Sequence, residues 1–138
     1  MSRRVAREIA FKTLFQYDIG HNETEPTISE LIEENGLEGA SVEFARQLVA
    51  GTLKNLAVID ETLTKYLQKW ELGRLAAADR NVLRLAVFEL LYREDIPAAV
   101  TINEALDLSK VFHSEEAAKF LNGVLDKLAR EQQGGEVD

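Results

Sequence analysis

Apolar residues recur three and four positions apart along almost the whole of this chain, while strict alternation of apolar and polar residues is scarce. This spacing is typical of amphipathic helices, because it places the apolar side chains on one face of a helix with 3.6 residues per turn. We therefore predict an all-α fold. With 138 residues, the chain has the length of one compact domain, and we expect a single domain over residues 1–138.

Turn signals divide the first half of this pattern into three predicted helices. Gly20 should end the first helix, which spans residues 3–19, because glycine readily adopts the left-handed conformation that follows many helices. A short second helix should follow Pro26. A stripe with helical spacing over residues 42–70 predicts the longest helix, with a bend near Gly51.

The second half predicts three more helices. Residues 79–92 are apolar on most sides, which suits a helix surrounded by others, and Pro97 should follow its end. The sequence Thr101-Ile102-Asn103-Glu104 fits a capping box, so the next helix should begin at its second residue.

The last predicted helix begins after Ser114, a residue type that commonly caps helix N-termini. Its apolar stripe continues through Gly123, which indicates a position where a neighbouring helix approaches closely. Residues 133–138 should form a frayed tail.

Composition limits the classes of protein to which the chain can belong. It has no cysteine, which excludes disulfides, thiol catalysis and cysteine-ligated zinc. No apolar run approaches the roughly 20 residues that span a bilayer, so we expect a cytoplasmic protein without a membrane segment. His21 and His113 lack the spacing of metal ligands, and no glycine-rich phosphate loop occurs. We therefore expect no metal, no cofactor and no enzymatic activity.

Charge is distributed unevenly along the chain. The formal net charge is −8, yet four of the sixteen lysines and arginines lie within the first twelve residues, which carry a net charge of +3. The helix dipole disfavours cations at an N-terminus by up to about 1 kcal/mol each. This placement indicates that the cations serve a ligand, and an RNA strand that meets only these residues should bind weakly and locally.

A helical wheel gives the first helix two distinct faces. One face is a core stripe of Ala6, Ile9, Ala10, Thr13, Leu14 and Tyr17. The second face is a row of Arg4, Arg7, Phe11 and Phe15. Arginine binds phosphate, and exposed aromatic rings stack on unpaired bases, so the second face is typical of single-stranded RNA recognition. Alternatively, the two phenylalanines pack on a neighbouring helix and the arginines are only solvated.

Several short motifs occur in an order that resembles one known family. They include Ala6-Arg7-Glu8 with Leu14-Phe15, Asp79-Arg80-Asn81-Val82-Leu83-Arg84, Ile102-Asn103-Glu104-Ala105 and Lys119-Phe120-Leu121-Asn122-Gly123-Val124-Leu125-Asp126. In their order and spacing these motifs resemble the NusB family of bacterial transcription antitermination factors. The resemblance extends from the first predicted helix to the last.

The resemblance implies a fold of two three-helix bundles, an N-terminal one over about residues 3–69 and a C-terminal one over about residues 70–132. It implies binding of the boxA segment of ribosomal RNA operon transcripts together with a small-subunit ribosomal protein, NusE. The pair would join the RNA polymerase antitermination complex, a role that involves no catalysis.

The resemblance also assigns roles to individual positions. Arg3, Arg4, Arg7 and Phe15 would contact RNA from the first helix, and Lys119 and Phe120 from the last, with Glu116 tuning affinity by repulsion. The partner surface is expected on the second bundle, where the matching residues are Tyr66, Trp70, Glu71, Arg74, Glu89 and Arg93. Burial of Phe120, Tyr66 and Trp70 in the core is equally compatible with their spacing.

Two alternatives remain open at this point. The chain could be a helical protein-protein adaptor whose basic face meets an acidic partner and never RNA. A homodimer could also form by burying the basic and aromatic face, which would occlude the RNA site. A related helical domain is fused to RNA methyltransferases, but 138 residues leave no room for a cofactor-binding domain.

Overall fold

A computed structural model describes residues 2–67 and 71–137, with side chains for residues 3–67 and 71–132. Within these ranges the chain is helical and has no strand, which confirms the all-α prediction. The elements are α1 (Ser2–Gly20), α2 (Thr24–Asn35), α3 (Ala40–Lys54), α4 (Leu56–Tyr66), a 3-10 turn (Leu72–Arg74), α5 (Ala77–Tyr92), α6 (Ala98–Phe112) and α7 (Glu115–Val137).

Helix α5 lies at the centre of the fold. The helices α1, α2 and α3 contact one another, as do α5, α6 and α7, and α5 also packs against α1, α3 and α4. Its buried residues accordingly occupy most of its circumference, as the sequence predicted. One hydrophobic core therefore joins both halves of the chain. The division of the chain near residue 70 stays a prediction.

The long helix predicted over residues 42–70 is interrupted at Asn55, which separates α3 from α4. The Asn55 side-chain amide donates a hydrogen bond to the carbonyl oxygen of Gly51 over 2.8 Å, and such local bonds compete with helix continuation. Gly51 itself lies against the Phe88 ring, which a β-carbon at this position would overlap. Close approach was predicted at Gly123 instead, but no neighbouring helix in the described part of the chain comes within 4 Å of a β-carbon placed there.

The capping box predicted for α6 is wrong. The helix begins at Ala98 with Pro97 before it, because the fixed φ of proline, −60° here, suits a helix start. Thr101 consequently lies inside the helix, and its hydroxyl donates a hydrogen bond to the Glu89 carboxylate over 2.8 Å. The predicted cap at Ser114 is confirmed, since its hydroxyl oxygen accepts the Ala117 backbone N–H over 3.0 Å.

Helix ends elsewhere differ modestly from expectation. Gly20 is the last residue of α1, and His21, with φ of 55°, adopts the left-handed conformation. Helix α2 begins at Thr24, before Pro26. Helix α7 runs to Val137 and so includes most of the segment predicted as a frayed tail.

A search of the described residues for a membrane-spanning helix finds none with the required length and apolar character.

Candidate nucleic-acid interface

The three arginines of α1 have different environments. Arg3 and Arg4 are exposed, as predicted, whereas the Arg7 side chain is only 5% exposed. Ala6, Ile9, Ala10, Thr13 and Leu14 form the predicted core stripe, but Tyr17 is 42% exposed. Phe11 is buried in the core instead, at 3% exposure. The helical wheel therefore assigned Tyr17 and Phe11 each to the wrong face of α1.

Arg7 belongs to a buried ion pair and is almost entirely removed from the surface. Its Nε and Nη2 donate hydrogen bonds to the two carboxylate oxygens of Glu89, over 2.8 and 3.0 Å. The Thr101 hydroxyl also donates to this carboxylate. The predictions that Arg7 contacts RNA and that Glu89 contacts a partner are therefore corrected. Each residue instead neutralises the charge of the other inside the core.

Arg3 lies over an aromatic ring that the sequence did not single out. Its guanidinium carbon is 4.2 Å from the centre of the Phe44 ring, which the guanidinium carbons of Arg7 and Arg93 also approach, within 5.3 and 5.2 Å. The nearest carboxylate oxygen to Arg3 belongs to Asp95, at 4.0 Å. The Arg3 guanidinium is thus held by the ring face and is open to a further anion.

Arg4 is held by two carboxylates of α6. Its Nη2 donates to Glu104 over 2.9 Å and to Asp107 over 2.7 Å, and its Nε lies 3.3 Å from the second Glu104 oxygen. The hydrogen bond with Glu104 is the main reason that the pKa of Arg4 is raised above its ordinary value. Neither acid was predicted to belong to the site, although their three-residue spacing on one helix face was a usable signal.

Three phenylalanine rings form a cleft beside these charges. The Phe11 ring packs in a tilted orientation against Phe15 and Phe112, with ring centres 5.9 and 4.8 Å away, and Lys12 Nζ lies 5.7 Å from the centre of the Phe112 ring. Phe15 is half-buried in the wall of a cavity of about 230 Å³, which Lys12 and Phe112 also line.

A second cleft lies at the charged start of α1. It is lined by Arg4 and Phe112, so the two clefts share one ring. We call the surface formed by Arg4, Lys12, Phe15 and Phe112 the α1–α6 track. The sequence missed Phe112 because nothing in its spacing distinguishes it from a core residue.

The predicted contacts on α7 differ in exposure. Glu116 and Lys119 are exposed and Phe120 is half-buried. A cavity of about 470 Å³ is lined by Phe120 and Glu116 together with Asp79 and His113, whose Oδ1 and Nδ1 are 2.8 Å apart. Arg74, predicted on the partner surface, also lines this cavity.

The remaining predicted partner residues are dispersed. The Tyr66 hydroxyl donates to Glu131 over 2.9 Å, and burial together with that carboxylate raises its pKa. Glu71 and Arg74 are paired at 3.3 Å and highly exposed. Trp70 lies outside the described residues.

Arg93 makes its contacts near α1 and not beside this exposed pair. It donates two hydrogen bonds to Asp95, over 2.9 and 3.0 Å, and these bonds lower the Asp95 pKa. Among the side chains that the structure describes, no three histidine, aspartate or glutamate residues are grouped in a way that could hold a metal ion.

Sequence comparison relates the chain to one group of proteins. Residues 4–130 match the NusB family. The chain is 48% identical over 128 residues to the transcription antitermination protein NusB of Desulforamulus reducens, and the match covers 93% of this chain and 90% of that protein.

Structure comparison gives the same relation. A structure of T. maritima NusB matches with a TM-score of 0.87 and 42% identity, over 94% of this chain and 91% of the other. A crystal structure of the antitermination factors NusB and NusE in complex with dsRNA matches with a TM-score of 0.86 and 29% identity, over 94% of this chain and 97% of the other.

Proposed function

This chain belongs to the NusB family of transcription antitermination proteins, and we propose that it acts by binding the boxA segment of nascent ribosomal RNA transcripts together with the ribosomal protein NusE. The α1–α6 track carries the proposal. It combines two cations, Arg4 and Lys12, with the rings of Phe15 and Phe112 along one pair of clefts. Phosphate contacts from cations and base stacking on rings are the two interactions that single-stranded RNA recognition requires.

The charges of the track also explain why a protein partner is part of the proposal. Each cation is already paired, Arg4 with Glu104 and Asp107, and Lys12 with Glu8 at 3.3 Å. Few phosphate contacts therefore remain available, and affinity from counterion release alone is small. A basic ribosomal protein beside the track would supply further phosphate contacts. The relative solved in complex with NusE and dsRNA supports joint RNA binding by the two proteins.

Replacing Phe15 tests whether the track binds RNA. Stacking of one base on an aromatic ring contributes about 1–3 kcal/mol. We expect Phe15→Ala to weaken binding of a boxA oligonucleotide about 5- to 150-fold in the presence of NusE, as measured by fluorescence anisotropy. Tyr17→Ala is the matched control, because Tyr17 is an exposed aromatic residue of the same helix that does not line the cleft. Equal losses in both variants would contradict the proposal.

The same titration separates RNA binding from a purely protein-binding adaptor. Arg3→Ala with Arg4→Ala should weaken boxA binding and leave NusE binding intact. Loss of NusE binding with unchanged RNA affinity would favour the adaptor. Arg7 is left out of this variant, because its removal would leave the Glu89 carboxylate buried without its cation.

The proposal extends to further partners. The pair would join the RNA polymerase antitermination complex and act on nascent transcripts in the cytoplasm, with no catalytic step. The exposed Glu71 and Arg74, and Tyr66 nearby in sequence, are proposed to face NusE.

A homodimer that covers the α1–α6 track would block RNA binding. A protein that stays monomeric at all concentrations in analytical ultracentrifugation would contradict such a dimer.

A further inference from the structure

Arg4 has its most useful hydrogen-bonding edge already occupied. Arginine binds phosphate in a bidentate manner through two parallel N–H groups. In Arg4 the Nε and Nη2 groups face the two oxygens of Glu104, and Nη2 also donates to Asp107. The side chain is nevertheless 64% exposed, so a ligand can reach it. A phosphate that seeks the same edge must displace carboxylates.

The two carboxylates also reverse the local charge. One guanidinium between two carboxylates carries a net charge of −1, and Glu8 neutralises Lys12 nearby. A polyanion that approaches this end of the track therefore meets no net attraction from Arg4. Arg3 differs, because its nearest carboxylate, Asp95, is 4.0 Å away and beyond hydrogen-bonding distance.

The geometry of α6 holds the two carboxylates in position around the Arg4 guanidinium. Glu104 and Asp107 are three residues apart, so both side chains project from one face of the helix towards α1. Glu104 is only 19% exposed, which restricts its conformations and keeps its two oxygens aligned with the guanidinium edge. The bonds to Arg4 form a bidentate contact with a second acceptor, a geometry stronger than that of an ordinary surface pair.

We propose that Glu104 and Asp107 are selectivity-determining residues that withhold Arg4 from RNA phosphates until the rest of an RNA strand is seated. This inference rests on the proposed RNA-binding function. Non-specific RNA, which binds through phosphates alone, gains too little from Arg4 to displace the two carboxylates. RNA whose bases are stacked in the cleft holds a phosphate beside Arg4 at high effective concentration, and displacement then succeeds.

The test is the neutral, nearly isosteric double variant Glu104→Gln with Asp107→Asn, titrated with a scrambled single-stranded RNA at several salt concentrations. Affinity for the scrambled RNA should rise about three- to tenfold, as expected when two ion-pair contacts of an exposed arginine are lost. The slope of log affinity against log salt should steepen by about 0.7, the value for one added phosphate contact on a single strand.

Two controls isolate the role of Arg4. Glu33→Gln with Glu61→Gln changes the net charge equally at exposed positions of α2 and α4, and should leave the affinity unchanged. In an Arg4→Ala background the Glu104 and Asp107 substitutions should have no effect. Asp107→Asn alone, at a carboxylate that is 45% exposed, should give a smaller rise and serves if the double variant does not fold.

Three results would overturn the inference: a fall in affinity, which would mean that the carboxylates orient Arg4 for RNA; an equal rise in the charge-matched control; or a rise that persists without Arg4. The proposed function is tested separately in the same experiment, by the preference of the unmodified protein with NusE for boxA over scrambled RNA. Absence of that preference would refute boxA recognition while the scrambled-RNA titration still reports on Glu104 and Asp107.

Discussion

Arg7 and Glu89 illustrate how the environment of a charged side chain decides its role. Arg7 lies one turn after Arg4 on α1, and Glu89 lies on α5, the helix that contacts five of the others. Both side chains are at most 5% exposed, and the Thr101 hydroxyl completes the hydrogen bonding of the carboxylate. The pair therefore fixes α1 against α5 and α6, and its contribution to RNA binding is through the position of α1.

We expect Arg7→Ala to lower the free energy of unfolding by about 3–5 kcal/mol, because it leaves the Glu89 carboxylate buried without its cation. Arg3→Ala is the matched control at the start of the same helix, where the side chain is 52% exposed, and its cost should stay below about 1 kcal/mol. Urea unfolding measures both. A cost for Arg7→Ala no larger than that of the control would contradict the structural role assigned to the pair.

Two helical glycines show how packing between elements overrides helix propensity. Gly51 on α3 faces the Phe88 ring of α5, and a β-carbon there would overlap that ring. Among the residues that the structure describes, no other helix has an atom within 4 Å of the same position at Gly123 on α7. Alanine favours a helix over glycine by about 1 kcal/mol at either site, so only the neighbouring element distinguishes them.

Gly123→Ala should therefore raise the thermal midpoint, and Gly51→Ala should lower it. The expected gain at Gly123 is up to about 1 kcal/mol. The expected loss at Gly51 is about 1–3 kcal/mol, the usual cost of overpacking, since the Phe88 ring is 6% exposed and must shift. Adding Phe88→Leu to Gly51→Ala should recover part of the loss. Stabilisation by Gly51→Ala alone would show that α3 and α5 do not pack this closely.

One charge network links the two halves of the whole molecule. Asp18 at the end of α1 accepts hydrogen bonds from Arg80 and Asn81 of α5, over 2.8 and 2.9 Å. Arg84 lies 3.5 Å from the same carboxylate and donates to Asp60 of α4. Burial by itself raises the pKa of Asp18, but the hydrogen bonds from Asn81 and Arg80 and the two positive charges lower it overall.

This lowered pKa predicts a loss of stability in acid. The unfolded chain takes up the proton first, at the ordinary aspartate pKa of about 3.9, so the contribution of Asp18 is present above that pH and is lost as the pH falls through the folded-state pKa. Asp18→Asn should cost about 1.5–3 kcal/mol at pH 7, the usual value of hydrogen bonds to a charged group. Urea unfolding at several pH values should show this difference shrinking in acid.

Asp126→Asn provides the comparison, because Asp126 pairs with Arg130 on the exposed face of α7. Its cost at pH 7 should be below about 0.5 kcal/mol. A difference between the unmodified protein and Asp18→Asn that stays constant from pH 7 to pH 3 would show that the folded-state pKa of Asp18 is not lowered.

Periodicity was sufficient to predict where the chain is helical, because an apolar stripe needs only local spacing to be recognised, but it did not show the break at Asn55. It placed α5 at the centre and the cap of α7 at Ser114, and both are confirmed. Prediction from local spacing failed where a side chain is held by a residue that is distant in the sequence. Thr101 fits a capping box by sequence, yet its hydroxyl bonds Glu89, and Phe11 fits a surface row, yet neighbouring helices bury it.

The amino-acid sequence by itself determined the fold class, the family and the concentration of arginines at the start of α1, because each depends on residue order alone. Tertiary structure decided which of those arginines is buried and which carboxylates each of them meets, since Glu89, Glu104 and Asp107 are more than 80 residues away from them along the chain. It also assembled the cleft of Phe15 and Phe112 from two helices. Charge pairing and ring packing act through space, so no local pattern could have revealed them.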